Sequence, residues 1–79
     1  MAQYTLVSLD GQKIKNHLEY ESIIVKAVFD NMSDEDDLVV AEDGFTTSLT
    51  PTEDELESIN LQMGAHGFAV HRWEQLSIN

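Results

Sequence analysis

The chain has 79 residues, no cysteine and a formal net charge of −11 at pH 7. This length allows one small domain, and the lack of cysteine excludes a disulfide framework and a thiolate metal site. The hydrophobic fraction of 42 % argues against a disordered chain. No apolar run approaches the roughly 18 residues that span a bilayer, and the start, Met-Ala-Gln-Tyr, lacks the features of a signal peptide. We therefore expect residues 1–79 to form a single cytoplasmic domain.

The negative charge is concentrated in one part of the chain. Between Ala27 and His71 there are eleven Asp and Glu residues and no Lys or Arg, whereas the four acids elsewhere are balanced by four basic residues. We call residues 27–71 the acidic segment. A region of this kind repels nucleic acids and anionic membranes, and it attracts basic proteins or cations.

The first predicted element is a β-hairpin. Residues 4–9 favour a strand, and the Asp10-Gly11 pair that follows is a strong hairpin signal, because both central residues of a type I′ turn need positive φ. Residues 12–15 are then predicted to form the return strand, with Ile14 as its one strongly apolar residue.

Residues 16–32 are predicted to form a helix. Asn16 is suited to the N-cap, with Glu19 placed to answer back to it. An apolar stripe recurs at helical spacing, with Ile24 on its flank, and comprises Leu18, Val25, Val28, Phe29 and Met32. Several of these residue types also favour strands, so a buried strand over residues 22–29 is an alternative.

A second hairpin and a second helix follow. Residues 38–42 and 45–49 are predicted to be strands joined at Asp43-Gly44. The run Thr50-Pro51-Thr52-Glu53 predicts the start of a helix, with Thr50 as the cap and Pro51 in the first turn. Acidic residues in the first turns of this helix are stabilised by the positive end of the helix dipole. The predicted buried stripe is Leu56, Ile59 and Met63, and Gly64 is placed to end the helix.

The last predicted element is a strand over residues 68–78, with Phe68 and Val70 on one face. Trp73, Leu76 and Ile78 lie in its later part. The order of elements is then ββαββαβ, which predicts an α+β fold with two helices packed on a mainly antiparallel sheet.

Metal and catalytic signatures are weak. A calcium loop that starts at Asn31 would have Asp36 where the loop needs glycine. The spacing of His66 and His71 fits no simple zinc site. No nucleophile turn or glycine-rich phosphate loop is present. We therefore expect no metal, no cofactor and no enzymatic activity.

These observations predict a small non-catalytic protein that binds a basic, nucleic-acid-binding partner and antagonises or regulates it. In size and acidity the chain resembles phage-encoded inhibitors, antirepressors and bacterial immunity proteins, although it shares no motif with them residue by residue. The expected partner-binding carboxylates are Asp34, Glu35, Asp36, Asp37, Glu42, Asp43, Glu53, Asp54 and Glu57. Phe45 and Trp73 are the expected apolar anchors, with a core position as the alternative for Trp73.

A second hypothesis makes the chain a structural or regulatory subunit of an obligate oligomer, in which the charge serves only solubility. A small core without staples often gains stability by oligomerising. A two-fold homodimer and a monomer are both compatible with the sequence.

Overall fold

A computed structural model of the chain describes residues 2–35 and 37–72. These residues form a four-stranded antiparallel sheet and two α-helices, which confirms the predicted α+β fold. The strands are β1 (Ala2–Ser8), β2 (Val39–Ala41), β3 (Gly44–Thr47) and β4 (Phe68–Arg72), and the helices are α1 (Glu21–Asn31) and α2 (Glu53–Gly64). The strand order is β2-β3-β1-β4. Neither helix within this part of the chain has the length and apolar character needed to cross a bilayer.

β1 lies inside the sheet and carries much of the core. Tyr4 pairs with Phe45 of β3, and Leu6 pairs with Val70 of β4. The Tyr4 and Phe45 rings stack with their centroids 5.6 Å apart. Tyr4 and Leu6 are two positions apart in the strand, so their side chains point to the same face of the sheet. There they join the buried side chains of both helices.

The first predicted hairpin is only partly formed. The Ser8 N–H donates to the Gln12 carbonyl at 2.8 Å, which closes a three-residue loop, and Gly11 at its end has φ +93°. Beyond this loop only a single bridge joins Val7 and Lys13. The prediction of a return strand over residues 12–15 is therefore wrong, because the chain turns away after one bridge.

His17 provides a hydrogen-bond acceptor at the edge of β1 that lacks a return strand. Its Nε2 accepts a hydrogen bond from the Leu6 N–H at 2.8 Å and lies 3.2 Å from the Thr5 hydroxyl oxygen. Its Nδ1 lies 3.0 Å from the Glu42 carbonyl oxygen. A backbone N–H can only donate and a carbonyl can only accept, so the imidazole is the neutral tautomer protonated on Nδ1. One buried ring thus ties β1 to the turn between β2 and β3.

The predicted helix over residues 16–32 is two helices. Asn16 is the cap, accepting from the Leu18 N–H at 3.1 Å, but it caps a 3-10 helix (His17–Tyr20), and α1 begins at Glu21. The alternative strand over residues 22–29 is not formed.

The buried face of α1 differs in part from the predicted stripe. It comprises Ile24, Ala27 and Val28, with Met32 buried directly after the helix. Leu18 and Phe29 are exposed, contrary to the prediction. A 3-10 helix turns about 120° per residue against about 100° in an α-helix, so the stripe from α1 does not continue back to Leu18.

The second hairpin is shorter than predicted and its turn lies one residue earlier. The turn residues are Glu42 and Asp43, and Gly44 is the first residue of β3. No non-glycine residue in the described ranges has positive φ, so this is not a type I′ turn. Gly44 is needed for another reason, since a Cβ at this position would overlap the carbonyl oxygen of Tyr4.

α2 begins two residues later than predicted. The N-cap is Thr52, whose hydroxyl accepts from the Glu55 N–H at 3.1 Å, while the Glu55 carboxylate accepts from the Thr52 N–H at 2.9 Å. Ile59 and Met63 are buried as predicted, Leu56 is partly buried, and Gly64 is the last helical residue. In the final strand, residues 68–72 are described, and the predicted part after Arg72 lies outside the described residues.

Replacing His17 by alanine should strongly destabilise the fold. The change leaves the Leu6 N–H and the Glu42 carbonyl without their side-chain partner, and we expect the free energy of unfolding to fall by about 2–4 kcal/mol. Urea unfolding measures this as a lower midpoint at an unchanged slope. His66→Ala, at an exposed position, is the control and should change stability by less than about 0.5 kcal/mol. Equal effects of the two changes would contradict the role of His17.

Two glycine-to-alanine changes should act in opposite directions. Gly44→Ala forces a methyl group into the Tyr4 carbonyl and should cost about 1–3 kcal/mol of stability. Gly64→Ala meets no atom within 4 Å and should stabilise the helix end by about 0.5 kcal/mol. Thermal unfolding of both variants checks the pair, and a neutral Gly44→Ala would contradict the close approach of β3 to β1.

Candidate protein-binding surface

Most carboxylates of the acidic segment are displayed to solvent. The exposed ones among the predicted site residues are Asp34, Asp37, Glu42, Asp43, Glu53, Asp54 and Glu57. We call these seven residues the acidic surface. Asp36 lies outside the described residues.

A cleft brings the loop after α1 next to the start of α2. It has a volume of about 300 Å³ and is open to solvent on one side. Its lining residues are Met32, Asp34, Glu35, Leu49, Thr50, Thr52 and Glu55. The fold therefore places Asp34 beside the first turn of α2, where Glu53 and Asp54 also lie. These residues are about twenty positions apart in the sequence. We call Asp34, Glu53 and Asp54 together the acidic end of the molecule.

The Glu42–Asp43 turn is separate from this end. It precedes β3, while the cleft begins after β3, and four residues at about 3.3 Å each put about 13 Å between them. The acidic surface thus has two parts, one at the start of α2 and one at the turn.

No described Lys or Arg forms an ion pair with the acidic surface. Among the described residues the one ion pair joins Lys26 Nζ to the Asp30 carboxylate at 3.3 Å on α1, and neither residue lines the cleft. The pKa of Asp30 is lowered chiefly by the hydrogen bond from Gln62, and to a smaller extent by the hydrogen bond from Lys26. The acidic surface itself has no ion-pair partner in residues 2–35 and 37–72, so its charges add to a negative field at the protein surface.

Glu35 is not part of the acidic surface, contrary to the prediction. Only 4 % of it is exposed. Its Oε1 accepts hydrogen bonds from the Asp37 N–H at 3.1 Å and from the N–H and the hydroxyl of Ser48, each at 2.9 Å. Its Oε2 accepts from the Leu49 N–H at 3.0 Å. The carboxylate therefore fastens the loop after α1 to the end of β3.

The ionised form of Glu35 is stabilised in the folded protein. Burial by itself raises the pKa of this carboxyl, but the hydrogen bonds from Leu49, Ser48 and Asp37 outweigh burial, and the pKa lies below its ordinary value. A carboxylate that accepts several N–H and O–H groups is expected to behave this way, since all of them favour the charged acceptor.

One of the two predicted aromatic anchors, Phe45, does not lie on this surface. Phe45 is 3 % exposed and packs in the core against Tyr4, so its expected role as a surface contact is wrong. Strand alternation decides this, because Phe45 faces the same side as Tyr4. Trp73 lies outside the described residues.

Leu49 is an apolar surface residue that the sequence did not single out. It is 46 % exposed and lines the cleft. Its backbone is held by Glu35, so the side chain stands on a fixed segment. No sequence signal marked it, because alternation along the predicted strand places Leu49 on the same face as Phe45.

Within the described ranges, the histidines do not form a metal site with these acids. His66 is exposed in the loop before β4, and His71 is half-buried opposite Thr5 in the sheet. In the part of the chain that the structure describes, no three His, Asp or Glu side chains converge in a way that would hold an ion.

Comparison with protein families, with curated proteins and with solved structures gave no match to this chain. The functional conclusion below therefore rests on the chemistry of the acidic surface and of the cleft.

Replacing Glu35 by glutamine should lower stability and change its dependence on pH. Because the folded pKa is depressed, the unfolded chain takes up the proton first. The stabilisation is complete above the unfolded pKa of about 4.3 and is lost as the pH falls through the folded pKa. We expect Glu35→Gln to cost about 2–4 kcal/mol at pH 7 and to flatten the loss of stability on acidification below about pH 5.

Asp34→Asn is the matched control for this experiment. Asp34 is the exposed neighbour of Glu35, and its substitution should change stability at pH 7 by less than about 0.5 kcal/mol. Urea unfolding across pH 3–7 measures both variants. Parallel stability curves for Glu35→Gln and the unchanged protein would show that Glu35 does not act as the buried anion.

Proposed function

We propose that this chain is a small non-catalytic binding protein that docks its acidic surface on a basic, nucleic-acid-binding protein in the cytoplasm and antagonises or regulates it. The observation that carries the proposal is the distribution of charge. Seven exposed carboxylates have no Lys or Arg pairing with them in the described part of the chain. Surface charge that serves solubility alone is normally mixed in sign.

Carboxylates can take the place of phosphates on such a partner. A nucleic-acid-binding surface uses Lys and Arg to neutralise a regular row of negative charges. Arginine pairs with carboxylate and phosphate through the same planar set of donors. The acidic end places Asp34 beside the first turn of α2, so carboxylates from two segments meet one surface.

Leu49 supplies an apolar part of the contact in place of the buried Phe45. Half-exposed on the cleft, Leu49 is surrounded by carboxylates and by the threonines of the α2 start. The methylene stems of Lys and Arg cover apolar surface while the charged ends stay solvated. Such a site suits a basic side chain better than a hydrophobic one.

In the alternative function the chain is a structural or regulatory subunit of an obligate oligomer. Its charge then serves only to keep the protein soluble. The observation in its favour is the presence of large apolar side chains on the surface, of which Leu9 and Leu61 are the most exposed. A homodimer would cover some of them. Two copies that each carry −11 repel one another, and this favours a basic partner over a second copy.

Neutralising part of the acidic end should weaken partner binding without unfolding the protein. The variant is Asp34→Asn with Asp54→Asn, and the control is Glu19→Gln with Glu21→Gln, which removes the same charge from exposed positions outside the acidic segment. We expect the acidic-end variant to slow association with the partner about tenfold at low salt, and the control to slow it far less.

The partner is first isolated from a lysate of the source organism at low salt and identified by mass spectrometry, and association is then measured by stopped flow at several salt concentrations. Added salt should reduce the difference between the two variants. Recovery of no basic protein, or equal slowing by both variants, would count against the proposed function.

A further inference from the structure

The two edges of the sheet are not protected in the same way. At the β4 edge the Val70 N–H donates to the Asn60 side chain at 2.7 Å, so α2 covers the middle of that edge. At the other edge, β2 pairs with β3 only. The 3-10 helix packs close to β2, but no described residue outside β3 hydrogen-bonds to Val39, Val40 or Ala41. Unpaired backbone groups along an edge are a template for another strand.

The side chains of β2 do not guard this edge. Val39 is 59 % exposed, Ala41 is exposed and Val40 is half-buried against the core. Natural sheets commonly protect an edge by a short strand, by charged side chains or by proline. β2 is short, at three residues, but it contains no charged residue and no proline. At its far end the Glu42 carbonyl is already bonded to the His17 N–H and to His17 Nδ1. The open stretch is therefore residues 38–41.

Carboxylates lie on both sides of the open stretch. Asp37 precedes it, and Glu42 and Asp43 follow it, all three exposed. Like charges placed across from one another oppose strand pairing, and opposite charges favour it. An acidic strand, including β2 of a second copy, would be repelled here, whereas a segment rich in Lys or Arg would be attracted.

We propose that an extended basic segment of the partner protein adds to β2 as a fifth strand of the sheet. This inference rests on the proposed function and gives its mode of binding. Main-chain hydrogen bonds to residues 38–41 align the segment, and its basic side chains reach Asp37 at one end and the Glu42–Asp43 turn at the other. Such strand addition draws affinity from the backbone and specificity from alternate side chains.

The first test is amide hydrogen exchange of the free protein by NMR. The open edge predicts that amides of residues 38–41 that do not pair with β3 exchange rapidly at any protein concentration. Protection that grows with concentration would show a second copy on this edge, and protection that does not change with concentration would show that the chain itself covers it. Either result overturns the proposal.

The second test compares two synthetic octapeptides of equal charge. One alternates lysine with threonine, and the other alternates lysine with proline, which has no N–H to donate. We expect the lysine–threonine peptide to bind about tenfold more tightly at low salt, and to protect the amides of residues 38–41. Equal affinities, with chemical-shift changes centred on α2, would overturn strand addition and leave the proposed function standing. Binding of neither peptide at any site would count against both.

Two single substitutions locate the contact on the protein. Val39→Lys puts a positive charge on the open edge, and Ser58→Lys puts the same charge on an exposed position of α2. Val39→Lys should weaken the lysine–threonine peptide about tenfold and Ser58→Lys by a smaller factor. A larger effect of Ser58→Lys would place the peptide on the helix and overturn the inference.

Discussion

The imidazole of His17 holds together parts of the fold that the strands alone do not join. β3 pairs with β1 only from Ala2 to Tyr4, so the rest of that edge of β1 needs another partner. The loop after β1 and the Val7–Lys13 bridge cover its end. His17 accepts from the Leu6 N–H between these and β3, and its other nitrogen reaches the carbonyl of Glu42. Buried backbone groups must be paired. The position of the 3-10 helix, and hence the start of α1, follows from this requirement.

The buried Glu35 carboxylate likewise joins two segments of the chain, at the cleft. Glu35 collects four hydrogen bonds from three residues and fixes the loop after α1 against the end of β3. This contact builds the cleft and sets the orientation of Leu49. This carboxylate of the acidic segment is therefore structural, like the Glu55 carboxylate that caps α2, whereas Asp34 and Asp37 beside it are exposed.

The distribution of the remaining carboxylates has both a cost and a use. Placed together without basic partners they repel one another, which lowers the stability of a domain whose core is small. Part of this cost is offset where Glu53, Asp54 and Glu55 sit in the first turn of α2, since the helix dipole favours negative charge there. On the edge strand the same sign of charge discourages self-pairing and leaves the edge to a cationic partner.

The class of fold was predictable from the amino-acid sequence, because hydrophobic periodicity and helix caps are local properties. α2 and its buried Ile59 and Met63 were predicted to within two residues, and the α+β architecture was correct. Two overlapping Thr-x-x-Glu patterns compete at its start, and local sequence does not choose between them. The structure uses the second, after a segment that is anchored through the bond from Leu49 to Glu35.

Which polar residues are buried, and which faces are open, depends on how distant segments pack together. Glu35 and Asp34 are adjacent and chemically alike, yet donors some thirteen residues further along the chain bury one and leave the other exposed. Phe45 enters the core because its strand pairs with Tyr4, and His17 does so because a strand edge lacked a partner. These outcomes depend on contacts between distant segments, which no local pattern encodes.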